Sequence, residues 1–468
     1  MKKTALNVQF EPHSSKGFFH KIVKNRTVVG KFNTISLSYA DNLIENYQKL
    51  ANLPGFILLE SSDKTKGRYD ILSAFPYEQV KRYSNSSEPG EIFAQLQQLI
   101  PQTSSTLDLP FQGGALGYFS YDLAAQLAGI STVQQLSLED MPLVDLGLYD
   151  WAIISDHHLK KVTLFQANSQ PQTVELVKEV LACWEGKSEG SDSFIFRDSF
   201  RSLISKAAYQ DAFYAIHQDL RRGRAYQVNY TQPFNAPYQG DTWAIYKKIR
   251  AKNPVPFSAF FRSNEADILS FSPERFLMMD RGNLLTSPIK GTAKRSSEQL
   301  LDDLLRQELL TSTKNRAENI MIVDLLRNDL GKIAQAGSVK VSALCEVESY
   351  ESVHHLVSHV EAQCLKDKSL LQAFRACFPG GSITGAPKLE AMKIIAEQEH
   401  YGRGVYCGSI GYFSSHGRFD TNIAIRTLIA RNEILHLAAG GGLVIDSNWE
   451  EEYFECFTKI AAIVNGLN

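Results

Sequence analysis

The chain has 468 residues, of which 49 are basic and 51 acidic, for a formal net charge of -2 at pH 7, and 44% are hydrophobic. So even a balance argues against a general nucleic-acid binder and for small-molecule chemistry, and a chain this long is expected to divide into two lobes. The six cysteines (Cys183, Cys345, Cys364, Cys377, Cys407 and Cys456) include no Cys-x-x-Cys pair, which indicates neither a disulfide framework nor a zinc cluster and fits a reducing cytoplasm.

Met1-Lys-Lys-Thr-Ala-Leu6 carries two lysines with no apolar run behind them, and no later stretch approaches the ~18 uncharged apolar residues of a membrane span. Neither secretion nor a membrane helix is expected. Short apolar runs such as Gly55-Phe-Ile-Leu-Leu-Glu60 and Leu148-Tyr-Asp-Trp-Ala-Ile-Ile154 predict strands with few long helices in the first part. Its Gly113, Gly114 and Gly117 are a weak phosphate signal, because no helical pattern opens directly after them. A polar, Gly/Ser-rich segment at 185–193 reads as a linker, dividing an N-terminal region, 1–190, from a larger domain, 194–468.

Beyond it, helical spacing marks 206–222, 300–328, 386–399 and 450–464, while 224–234, 268–279, 284–289, 405–414, 423–431 and 434–445 read as strands. The order is not a strict βαβ alternation, so the fold class is α+β with large antiparallel sheets. Glu274 and Lys290 lie symmetrically about the turn Asp280-Arg281-Gly282-Asn283, and an in-register hairpin would set acid opposite amine on one face. In a cleft that is the equipment for nucleophilic attack with proton donation; elsewhere it is a cross-strand ion pair.

Further candidates follow along the chain. Glu318 starts an apolar-periodic run, and Ser447 with Glu450 makes a capping box ahead of Glu452, Glu455 and Lys459 on one helical face. These carboxylates form a solvated stripe or, if they meet Glu318 across a cleft, a seat for Mg²⁺, which prefers hard oxygen ligands. Phe378-Pro-Gly-Gly-Ser-Ile-Thr-Gly-Ala-Pro-Lys388 fails as a Walker loop, since Ala386 and Pro387 follow Gly385, but it leaves an anion seat or a plain helix start. Ala439-Gly-Gly-Gly-Leu-Val444 would let backbone approach a ligand closely, and Arg426, a charge within an apolar strand, faces solvent or forks onto a carboxylate. His354-His355 lacks a third ligand at metal spacing.

Seven motifs in order over residues 205–465 resemble the chorismate-utilising enzyme family: Tyr226-Gln-Val-Asn229, Ser272-Pro-Glu274, Pro288-Ile-Lys-Gly-Thr292, 317–330, Gly380-Gly-Ser-Ile-Thr-Gly-Ala-Pro-Lys388, Ile425-Arg-Thr427 and Ala439-Gly-Gly-Gly442. The resemblance implies two large antiparallel β-sheets packed as a sandwich with helices outside. Members that form isochorismate or salicylate carry a water-activating Lys where this chain has Gln227, which implies ammonia as the nucleophile here. Lys290 replaces the Ala of anthranilate-forming members, and implies 4-amino-4-deoxychorismate as product, on the route to p-aminobenzoate and folate. Ala293-Lys294 departs from the Arg of many relatives, with no functional reading.

By the same resemblance, Lys290 is the nucleophile, Glu274 the acid, and Glu318, Glu452 and Glu455 the Mg²⁺ ligands. Chorismate would be held by Gln227, Thr292, His355, Ser382, Thr384, Tyr406, Arg426, Gly440, Gly441, Gly442 and Lys459. Leu58-Leu-Glu-Ser61 and Asn253-Pro-Val-Pro-Phe257 resemble the walls of a tryptophan pocket, with Glu60, Ser61, Pro254, Pro256 and Phe257 as its residues. None of the cysteines sits in a Gly-x-Cys-x-Gly elbow, so ammonia is expected from a separate glutaminase subunit. Two alternatives stand beside this one: anthranilate formation with loss of pyruvate, and a non-catalytic amino-acid-binding subunit in which Glu274 and Lys290 form a structural pair.

Overall fold

Strands from two sheets turn their apolar faces toward each other, so that Ile57, Ile71, Ala152 and Phe165 of one sheet share an interior with Leu116, Tyr118, Ile410 and Tyr412 of the other. The computed structural model describes residues 32–467 apart from 65, 85–88, 133–137, 139, 188–192, 197 and 351–352. The N-terminal lysines and the centre of the 185–193 segment lie outside the described residues. Among the described residues one sheet has 13 strands and the other 10, and every pairing between named strands is antiparallel. This is the α+β sandwich expected. Each sheet mixes strands from both sides of residue 190, so the two regions of the sequence share one β-framework.

The elements differ from the sequence pattern in ways that matter for the site. The single helix expected at 300–328 is two, Gln299–Thr311 and Thr313–Gly331, broken at Ser312, whose extended ψ of 109° lets its hydroxyl cap Asn315 N–H at 3.3 Å. Pro387 is the N-cap of Lys388–Gln398, not a first-turn residue, and Gly385–Ala386 is a short strand paired with Gln227 and Val228. Asn448, not Ser447, caps the last helix, Trp449–Leu467, accepting from the Glu450 and Glu451 N–H groups. Gly114 and Gly117 serve packing: a Cβ there would fall 2.2 Å from the Phe413 carbonyl oxygen and 2.1 Å from that of Asp145. No helix among the described residues is long and apolar enough to cross a membrane, and all six cysteines are free.

A buried ion pair ties the site's scaffold together. The Arg403 guanidinium donates to Glu399 at 2.7 and 2.8 Å, to the Ile383 carbonyl at 2.8 Å and to the Asn229 carbonyl at 2.6 Å. Glu399 in turn accepts from the Thr231 N–H at 2.9 Å and hydroxyl at 2.8 Å. Both charged side chains are almost fully buried, so the pair joins three segments without access to water. Arg403→Ala leaves the Glu399 carboxylate uncompensated and is expected to cost about 3–5 kcal/mol in denaturant unfolding; a loss below about 1 kcal/mol would mean that this junction carries little of the fold.

Candidate active site

The hairpin forms, but its register does not place Glu274 opposite Lys290. Asp280 pairs with Asn283 and Met278 with Leu285, a frame that would align Glu274 with Ile289, and the pairing ends before either is reached. The strand breaks at Ser287-Pro288, and its continuation, Ile289–Lys294, pairs instead with Val353–Gln363. Register slips between Ile289 and Thr292, around Gly291 at φ +82°, so Lys290 stands at a bulge, a feature that re-aims a side chain. A second slip, between Arg275 and Leu277, follows Glu274. Glu274 is fixed through its backbone, its N–H meeting Ser272 Oγ at 3.2 Å and its carbonyl accepting from Ile423 N–H at 3.1 Å.

Proximity survives the loss of register. Burial pushes the Glu274 carboxyl up to about 7, against the opposing pull of Ser382, the Lys290 charge and the Ile289 N–H. Burial also lowers Lys290 from the ordinary lysine value, opposed by the charges of Glu318 and Glu274. The two groups feel each other, yet Lys290 makes no ion pair within 4 Å among the described residues. A tight salt bridge would have held both charged; here desolvation moves both toward neutrality.

Around this pair the glycine run does what its lack of side chains allows. A Cβ at Gly441 would lie 2.7 Å from Glu452 Oε2, 3.4 Å from Glu455 Oε2 and 3.6 Å from Lys459 Nζ, and one at Gly442 would lie 2.2 Å from Gln227 Nε2. At Gly440 it would meet the Tyr230 carbonyl at 2.2 Å. Glu452 is pushed up to about 7 by burial and by the Glu455 charge, against the Ser447 hydroxyl donating at 2.7 Å. Burial alone would raise Glu455, but Lys459 at 2.8 Å holds it below the usual carboxylate range. Lys459 also donates to the Gly440 carbonyl at 2.7 Å. Glu318, in the second turn of Thr313–Gly331, reaches Lys290 through its field. Among the described residues no three acidic, His or Cys groups form a ready-made metal cluster.

Arg426 lies not within a strand but in the bend before Thr427–Arg431, at φ +51°, a conformation that non-glycine residues rarely adopt. Burial lowers it, and no acid partner among the described residues offsets that. An unpaired, desolvated guanidinium in a strained bend is suited to a carboxylate from outside the chain. His355 accepts from or donates to Thr292 Oγ1 at 2.8 Å across the strand pair and is driven down to about 4 by burial and then by Arg426, so it is neutral. His354 is structural, between Asp302 at 3.1 Å and Ser349 at 2.8 Å. In the 380–388 loop the Thr384 hydroxyl donates to the Gly380 carbonyl at 3.0 Å, Lys388 is locked by Asp329 and two carbonyls, and Ser382 acts on the Glu274 carboxyl. Tyr406 is buried beside Cys407 and Arg403.

A separate cavity of about 450 Å³ includes Glu60, Ser61, Pro256 and Phe257 in its wall, while Pro254 is not part of the lining. Glu60 is already engaged by Arg250 at 2.6 Å and the Tyr246 hydroxyl at 2.7 Å. Pro273 and Ile289 also line it, one residue from Glu274 and Lys290. The Arg403–Glu399 junction is missed by sequence reasoning, because the burial of a pair four apart is set by segments distant in the chain.

The proton positions can be checked without substrate. NMR of ¹³C-labelled lysines is expected to show one ε-amine titrating below the ordinary value, absent in Lys290→Met and lowered further in Glu274→Gln, which removes a nearby negative charge. A Lys290 signal at the ordinary value would contradict its desolvation.

Residues 55–465 match the chorismate binding enzyme family. The chain is 40% identical over 454 residues to aminodeoxychorismate synthase component 1 of Escherichia coli (strain K12), covering 92% of this chain and 98% of that protein. It is 31% identical over 425 residues to anthranilate synthase component 1 of Aquifex aeolicus, covering 88% and 85%. Among solved structures, anthranilate synthase component I from Streptococcus pneumoniae superposes with a TM-score of 0.75 at 28% identity, over 85% of this chain and 92% of that one. The menaquinone-specific isochorismate synthase MenF of Escherichia coli shares the fold at a TM-score of 0.73 and 16% identity, over 94% and 95%. With its acid, amine and glycine strand assembled on this sandwich, the chain belongs to the chorismate binding enzyme family.

Proposed function

We propose that this protein is the large subunit of an aminodeoxychorismate synthase, converting chorismate and ammonia to 4-amino-4-deoxychorismate for p-aminobenzoate and folate synthesis. The observation that carries it is a desolvated lysine beside an acid raised to about 7, in a member of this family. Lys290 Nζ forms a bond to C2 of chorismate while Glu274 gives its proton to the departing C4 hydroxyl, the ring double bonds shifting between and water leaving. Ammonia then bonds to C4, the double bonds shift back, and Lys290 departs as the proton shed by the new amine returns to Glu274. Two displacements put the amine where the hydroxyl was.

Arg426 and Lys459 would pair with the substrate's carboxylates, and neutral His355 would lie at the ring. Glu318, Glu452 and Glu455 would hold Mg²⁺, whose role when bound is to neutralise a substrate carboxylate. The donor set fits that ion: hard oxygens only, two of them side by side at Gly441, and an ion that keeps several waters does not need all three acids in one tight cluster. Ammonia would come from a separate glutaminase subunit, a reading supported by the "component 1" of the relatives' names. Free cysteines fit work in a reducing cytoplasm.

Two outcomes are expected. The protein alone should turn over chorismate with ammonium salts but not with glutamine, and its product should yield p-aminobenzoate only after an added lyase; fluorescent anthranilate would instead favour the anthranilate synthase reading. At fixed free ammonia, kcat/KM for chorismate should be bell-shaped in pH. Below the Glu274 value of about 7 the lysine is held as an ammonium, and above the lowered Lys290 value no proton remains to donate. A profile flat from about pH 6 to 10 would contradict a proton shared by this pair.

A further inference from the structure

Lys206 is the first residue of the helix Lys206–Arg221, which Ser205 caps and whose first turn holds no acidic residue. A cation there opposes the helix dipole, so its placement calls for a reason outside its own helix. The reason is a cage on the last helix, Trp449–Leu467. Lys206 Nζ lies 5.0 Å from the centre of the Trp449 ring, 5.1 Å from that of Phe454, 5.8 Å from that of Tyr453 and 3.3 Å from Glu450 Oε1. Three ring faces and a carboxylate around one ammonium are the elements with which proteins hold organic cations, and each ring lies within the ~6 Å over which its quadrupole attracts a charge. Phe454 is 55% exposed, so its ring completes the cage rather than filling the core.

The clasp is the outer end of a ring stack that runs into the site. Tyr453 packs edge-on against Tyr209 at 5.2 Å, and Tyr209, fully buried on the Lys206 helix, packs against Tyr230 at 5.0 Å. Tyr230 belongs to the strand Gln227–Gly240 and lies directly opposite Gly441. Cys456 and Ile460 mark the buried stripe of the last helix. At about 100° per residue, the cage residues flank that stripe on one side, while Glu452, Glu455 and Lys459 flank it on the other and meet at Gly441. A helix gripped along one flank cannot roll about its buried stripe, and the acids on the opposite flank keep their place.

We propose that Lys206 is a positioning residue for the metal seat: its clasp on the Trp449, Tyr453 and Phe454 rings fixes the roll of the acidic helix and so holds Glu452 and Glu455 at Gly441 in the arrangement that takes Mg²⁺. This rests on the Mg²⁺ seat proposed above. Charge alone predicts the opposite consequence of losing Lys206, because removing a positive group from the neighbourhood of an acidic site strengthens its attraction for a divalent cation. The sign of the change in Mg²⁺ affinity therefore separates the clasp from the charge.

The test reads metal binding rather than turnover. Mg²⁺ would be titrated calorimetrically into Lys290→Met protein saturated with chorismate, a background that cannot form the covalent adduct. Into it would be placed Lys206→Met, which keeps the length and drops the charge, Trp449→Leu, which keeps every charge and removes a ring, and Lys206→Arg, whose guanidinium also rests on ring faces. The Kd for Mg²⁺ is expected to rise about three- to tenfold in each of the first two and to stay within about twofold in the third. Trp449→Leu carries the inference if Lys206→Met does not fold, and the reverse. Unchanged or tighter Mg²⁺ binding in either folded variant, or a loss with Arg as large as with Met, would overturn it. A background protein that takes up no Mg²⁺ would instead overturn the metal seat on which the inference rests, a result read before any variant is compared.

Discussion

Everything in this site turns on withholding water from two groups of opposite charge without letting them touch. In bulk water Glu274 would be a carboxylate and Lys290 an ammonium, and neither form can begin the proposed reaction. In direct contact they would stabilise one another in those same forms. Burial opposes both charges, lifting the acid to about 7 and lowering the amine, while the missing ion pair leaves the amine free to meet a substrate. The cost of that desolvation falls on the surrounding fold, which has to keep both side chains enclosed.

The fold meets that demand with backbone irregularity rather than with regular pairing. A slip around Gly291 turns Lys290 out of the ladder, a second slip follows Glu274, and Arg426 occupies a left-handed bend. A Cβ at Gly291 would come within 2.8 Å of Leu309 and 2.9 Å of Asn315, so the bulge also admits the two helices that close over it. Rigidity comes from elsewhere: the enclosed Arg403–Glu399 pair holds the Gln227–Gly240 strand against the Ser382 turn, and the long antiparallel match between that strand and Ile434–Leu443 keeps the glycines in register with the acidic helix. Glycine at 441 and 442 matters because two side chains from other elements occupy the space a Cβ would take.

Much of this was legible in the chain because it depends on local rules. Alternation and turn chemistry located the strands and the Asp280–Asn283 hairpin, and the spacing of Glu452, Glu455 and Lys459 placed them on one helical face, where they do meet Gly441. Symmetry about Gly282 misjudged the register by one residue, since the turn is the two-residue kind centred between Arg281 and Gly282, and periodicity alone cannot see a bulge. The apolar run across 300–328 hid the break at Ser312, because the residues on both sides favour helix. Arg426 read as a strand residue because its neighbours are β-branched, while its positive φ is imposed by contacts such as the Phe271 N–H to its carbonyl at 3.1 Å. That amide atoms of the buried Gln227 and Asn229 have no hydrogen-bond partner among the described residues was invisible, since a sequence names polar groups but not what surrounds them.

The most direct measurement is of the covalent bond itself. The protein would be mixed with chorismate and Mg²⁺ without ammonia, quenched, digested and examined by mass spectrometry. A neutral Lys290 beside a protonated Glu274 predicts that the peptide containing Lys290 gains the mass of chorismate less one water, and that Glu274→Gln abolishes the gain. An unmodified Lys290 peptide, from a sample that aminates chorismate once ammonium is supplied, would contradict the account.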